Sequence, residues 1–153
     1  MRKNLKNYTT EVSAEKTIDE IEKIIVKHGA TTFFKTYKNG EVEGVVFVIP
    51  IISGEMPIKM PSRVEQVKLA LFGKRTSYSD SMEKQARRTA WRNIKDWLDA
   101  QMALIETEQV KLEEIFLPYM TDRAGKTLYE YMKESDFKIP QLPSARTQEG
   151  EIL

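Results

Sequence analysis

The chain has 153 residues, a formal net charge of +1 and an apolar fraction of 41%. That is room for one domain with a real core, and a net charge this close to zero does not mark an obligate polyanion binder. It contains no Cys, which excludes disulfides, thiolate catalysis and Cys-based zinc sites. No window is apolar enough to span a bilayer. The basic Met1–Lys6 is not followed by an apolar segment, so no secretory leader is expected and the expected location is cytoplasmic.

In chain order, Leu5 to Val12 carries Tyr, Thr and Val and predicts a short strand. Ser13 then caps a helix with Ala14, Ile18, Ile21, Ile24 and Ile25 on one face. Gly29 ends it. His28, the only His, falls in its last turn and reads as a helix-end residue rather than a catalytic one. Thr31 to Tyr37 and Glu41 to Ile49 predict two strands joined at Asn39-Gly40, a pair that accepts positive φ and so suits a two-residue hairpin. An unbroken ladder from that turn places Phe34 opposite Val45 and Phe33 opposite Val46. Phe34 then shares a face with Phe47 and Ile49. Pro50 to Pro61 predicts a third strand, kept to an edge by its prolines.

Ser62-x-x-Glu65 has the form of a capping box before a short helix that ends at Gly73. Lys74 to Ser79 is a polar basic loop. Ser81 to Ile105 is the longest periodic segment, with Asp80 as its expected N-cap. At about 100° per residue, Ala86, Ala90, Ile94, Trp97 and Leu98 form a core-facing arc, with Trp91 on its border. Lys84, Arg88, Arg92 and Lys95 form a second arc. A shorter helix over Leu112 to Phe116 breaks near Pro118. Thr127-x-x-Glu130 is a further capping box. The expected architecture is one α+β domain over residues 1–136: a small antiparallel sheet covered by helices, with a helical C-terminal half. Residues 137–153 are expected to form a flexible tail.

The charge distribution is more telling than its sum. Between Lys59 and Lys95 ten basic residues face three acids, and from Asp96 to Glu114 the balance reverses. Lys74, Arg75, Lys84, Arg87, Arg88, Arg92 and Lys95 are therefore the candidate binding residues. As a polyanion site they would contact phosphates with weak sequence preference. As a solvated face they would do nothing of the kind, and the two readings weigh about evenly on these grounds.

Catalysis finds less support. His28 has no nucleophile motif beside it. Gly73-Lys74 and Gly125-Lys126-Thr127 lack the strand and glycine of a phosphate loop. Glu41, Glu43 and Glu55 are the only acids near the hairpin that suggest a divalent ion, and solvated hairpin ends explain them as well. No enzyme activity, cofactor or metal is expected.

The segments ARRTAWRNIKDWLDAQMALIE, LEEIFLPYM and GKTLYEYM, with NYTTEVSAEKTIDEIEKIIVKHGAT before them, carry a resemblance. The chain resembles a family of small proteins encoded by phages and prophages, over most of its length to about Met132. The resemblance implies a viral gene product and assigns no site residue. Two functions follow as expectations. One is a non-enzymatic nucleic-acid-binding protein that uses the basic helix face. The other is an inhibitor or adaptor that binds a host protein, such as a defence or nucleic-acid-processing factor. Self-association is a third kind of contact to look for.

Overall fold

The computed structural model describes residues 4–139. Of the tail expected over 137–153, the part from 140 onward lies outside the described residues. Helix α1 (Ala14–Lys27) is followed by strands β1 (Thr32–Lys38), β2 (Glu41–Ile51) and β3 (Gly54–Pro61), then helices α2 (Val64–Phe72), α3 (Asp80–Glu106) and α4 (Leu112–Phe116). A 3₁₀ turn over Leu117–Tyr119 and helix α5 (Leu128–Glu134) complete it. The strands form one antiparallel sheet in the order β1-β2-β3. The fold is α+β with a small open sheet, as the sequence predicts.

The core lies between one sheet face and the helices. Val45, Phe47 and Ile49 of β2 alternate inward, as period-two geometry requires, and Met56, Ile58 and Met60 of β3 sit beside them. Ile18, Ile21 and Ile25 of α1 close the core from one helix. Trp91, Leu98 and Met102 of α3, with Phe116 of α4, close it from the others. The Phe47 and Phe116 rings meet edge to face at 5.3 Å, a favoured aromatic geometry.

The hairpin turn forms as predicted, with Asn39 at φ 51° and Gly40 at φ 77° and Lys38 opposite Glu41. The ladder beyond it does not. A bulge makes Glu43 the extra residue, so Phe34 faces Val46 and Phe33 faces Phe47. The predicted register is wrong by one residue past that point. Phe34 lies on the outer face and is 57% exposed, while Phe33 packs against the core. Gly44, next to the bulge, sits where both neighbouring strands come close. A Cβ at Gly44 would meet the Met60 carbonyl oxygen at 3.0 Å and Thr36 Oγ1 at 3.1 Å.

The bulge also removes the capping box expected at Ser62. The Ser62 backbone N–H and hydroxyl both donate to the Glu43 carbonyl, at 2.8 and 2.7 Å. Helix α2 therefore starts from Arg63, held left-handed at φ 54° with no side-chain cap. At α3 the N-cap is Ser79 rather than Asp80, its hydroxyl accepting from the Met82 N–H. The Thr127–Glu130 box forms as predicted.

Leu5 to Val12 is not a strand. It is an irregular strap over α3, with Asn7 at φ 63°. Its backbone oxygens are taken by α3 side chains: Gln85 Nε2 donates to Tyr8 and Thr10, and Thr89 Oγ1 donates to Asn7. Polar backbone satisfied in this way needs no strand partner.

The basic helix and a candidate binding groove

Helix α3 distributes its basic residues among neighbours rather than presenting them to solvent as a row. Arg92 donates to Glu20 of α1 at 2.7 Å. Arg88 donates to the Thr10 carbonyl at 3.2 Å and also to Gln85. Lys95 pairs with Asp99 at 2.6 Å, and Arg87 with Glu41 of β2 at 3.5 Å. Two members of the arc, Arg88 and Arg92, thus lie in the seam along which the N-terminal strap and α1 pack on α3, while Lys95 pairs within its own helix. Lys84 and Lys74 are exposed and have no ion pair among the described residues. Arg75 is exposed, and its Nε donates to the Phe72 carbonyl. Of the seven candidates, Arg87, Arg88, Arg92 and Lys95 have polar partners along α3, and Lys74, Arg75 and Lys84 lie at and before its start.

The same logic governs the next strap contact. Asn7 Nδ2 donates to Asp96 at 2.9 Å, and the Lys6 ammonium lies 3.5 Å away. Burial alone would raise the Asp96 carboxyl. The Asn7 hydrogen bond and the Lys6 charge outweigh that and hold it below the usual carboxylate range.

Lys68 is a buried cation that sequence reading does not single out. It is 6% exposed and lies 2.9 Å from both Glu65 and Glu83. The Tyr78 ring covers it at 4.9 Å. Burial would lower this ammonium, but the hydrogen bonds to Glu83 and Glu65 reverse the effect and raise it above its ordinary value. With both carboxylates committed, Lys68 ties α2 to α3 and offers no open charge. The hairpin acids do not meet either. Glu41 is paired with Arg87, whereas Glu55 sits opposite Pro50 at the other end of the sheet. Among the described residues no group of three or more His, Asp or Glu is placed to hold a metal ion. His28 caps α1. Its Nδ1 lies 2.7 Å from the Ile24 carbonyl and its Nε2 3.0 Å from Glu106, so it clamps α1 to the end of α3.

A concave surface lies between β3, α2, α3 and the segment from Pro118 to Glu130, beside a more polar hollow of similar volume that shares Lys59 and Arg63 and is lined by Glu41, Glu43 and Glu83. The former is a groove of about 700 Å³, within the range of ligand pockets, about 300–1,000 Å³. Met60, Ile94, Trp97, Tyr119 and Tyr129 form its walls. Trp97 stands edge to face on Phe116 at 6.1 Å and on Tyr119 at 6.0 Å, so the wall is locked into the core. Lys59 and Arg63 line the same groove without an ion pair among the described residues. Glu130, also on the lining, spends a carboxylate oxygen on the Thr127 N–H of its own capping box.

Sequence reading places Trp97 in the core and Trp91 at its border. The structure exchanges them. Trp91 is fully buried, and Trp97 is part of the groove wall. The groove itself is assembled from four separate stretches, and only their packing reveals it. Comparisons with protein-family models, with curated proteins and with solved structures found no match to this chain.

Proposed function

We propose that this protein is a non-catalytic binding module whose partner is another protein, seated in the groove walled by Trp97, Tyr119 and Tyr129. One observation carries the reading. The groove is apolar, preformed and supported from behind by the core aromatic cluster, whereas most charges of the basic helix are already paired within the fold. Aromatic walls around a preformed hollow suit the anchor side chains of a protein partner. Phosphate tracking calls for a row of free cations along one surface, and Arg87, Arg88, Arg92 and Lys95 have other partners. An inhibitor or adaptor of a host protein, of the kind the phage-protein resemblance suggests, fits this reading. Of the seven basic candidates, Lys74, Arg75 and Lys84 are the ones left for nucleic acid.

The test is affinity capture from an extract of the organism that carries the gene, with and without nuclease, using wild type and Val67→Arg. Val67 lines the groove and is only half-buried, so the variant should fold. A protein retained after nuclease and lost with Val67→Arg supports the reading. A partner that nuclease removes, or one that Val67→Arg retains, contradicts it.

A further inference from the structure

We infer that the groove takes an acidic amphipathic helix of its partner, with apolar side chains set on the aromatic walls and carboxylates against Lys59 and Arg63. This rests on the protein-partner reading and adds the partner's conformation and charge.

The conformation follows from the edge of the sheet. Strand β3 is an edge strand, and exposed edges are the usual template for an added strand. Here the edge is blunted. Pro57 and Pro61 have no N–H to offer. The Pro57 carbonyl already accepts from the Thr121 N–H at 2.9 Å, and Ile58 is bridged to Met120. Past Pro61, the Ser62 N–H is turned away to the Glu43 carbonyl. A partner strand would find few open donors along this edge, which favours binding through side chains. An amphipathic helix does so with anchors at i, i+3 or i+4, and i+7.

The sign of charge follows from the lining. Lys59 and Arg63 are the groove's cations, neither is ion-paired among the described residues, and they outnumber Glu130, the one carboxylate on the lining. Arg63 is kept in place by the backbone: it starts α2 in the left-handed region, pinned on one side by the bond from Ser62 to Glu43. An Arg so placed has its Cα fixed at the groove, and its planar fork suits a carboxylate. An acidic partner gains from both cations, and a basic one is repelled by both.

A displayed library of random 12-residue peptides is the probe, selected in parallel on wild type, on Val67→Trp, which fills the groove without adding charge, and on Arg63→Glu/Lys59→Glu. The expected result is a set of peptides enriched on wild type and not on Val67→Trp, rich in Glu and Asp, with apolar residues at helical spacing. Their synthetic forms should bind Arg63→Glu/Lys59→Glu at least tenfold more weakly than wild type. Groove-dependent peptides without an acidic excess, with strictly alternating apolar residues, or with unchanged affinity for the double variant would overturn the inference and leave the protein-partner reading standing. If no peptide depends on Val67, both fall. Circular dichroism of wild type and variants, recorded first, separates lost binding from lost folding.

Discussion

Arg92 of α3 and Glu20 of α1 meet at 2.7 Å, and this contact places one residue of the expected binding stripe in a structural seam. Both side chains are largely covered, at 22% and 31% exposure, so the pair is screened less than an open surface bridge. Arg92→Glu sets two carboxylates against each other and should lower stability by roughly 1–3 kcal/mol. Glu20→Arg combined with Arg92→Glu should recover most of the loss. Thermal melts of the two single variants and the double variant decide it. An unchanged melting temperature for Arg92→Glu would mean the seam does not depend on the pair.

The two tryptophans should separate in the same assay. Trp91 is fully enclosed, and truncating a buried Trp costs about 3–5 kcal/mol, so Trp91→Ala should unfold the domain or leave it marginal. Trp97 is partly exposed in the groove wall, and Trp97→Ala should cost less while removing a wall of the binding surface. Equal loss from both would contradict the exchange of roles.

Gly40 and Gly44 fail for different reasons when substituted. Gly40 has φ 77° and no heavy atom within 4 Å of an added Cβ. Gly40→Val should therefore cost about 1–3 kcal/mol from backbone strain, and Gly40→Asn much less, since Asn tolerates this region. Gly44 has the opposite problem, because Met60 and Pro61 backbone atoms stand at 3.0 and 3.3 Å. Gly44→Ala must push β3 away from the bulge, so it should destabilise more than Gly40→Ala. Urea denaturation of the four variants gives the order.

Acid should loosen the N-terminal strap. Asp96 is held below its ordinary value of 3.8 by Asn7 and Lys6 against the opposing effect of burial. A carboxyl depressed in the folded state contributes stability that is present above its unfolded value and lost as pH falls through the folded one. Wild type should therefore exceed Asp96→Asn in melting temperature at pH 7, and the gap should close as pH is lowered past about 3.8. A gap independent of pH would assign the difference to packing instead.

The legible parts of this fold are those where local chemistry decides the outcome. Asn39-Gly40 needs only its own backbone to form the turn, and the Ile18–Ile21–Ile25 spacing needs only a core to face. Thr127 and Glu130 satisfy each other. The misread parts depend on distant partners. Ser62 has a residue pattern suited to capping, yet its hydroxyl goes to Glu43, nineteen residues away in the chain. That same bulge shifts Phe34 outward. Leu5 to Val12 has strand-forming residues but is held by Gln85, Arg88 and Thr89 on a helix formed much later in the sequence. Periodicity places Lys84, Arg88, Arg92 and Lys95 on one arc correctly; it carries no information on whether solvent or α1 lies against that arc. The groove has no local signature, because its walls come from β3, α2, α3 and the segment after α4.

The central claim is that the groove, and not the basic arc, receives the partner. Site-specific photo-crosslinking in the cell tests it most directly, with p-benzoylphenylalanine at Tyr129 in the groove, at Phe34 on the outer sheet face and at Lys84 on the helix. All three positions are exposed, so the probe should be tolerated at each. The account predicts a discrete protein adduct from position 129, resistant to nuclease, and none of comparable yield from 34 or 84. A nucleic-acid adduct from position 84 with no adduct from position 129 would contradict it.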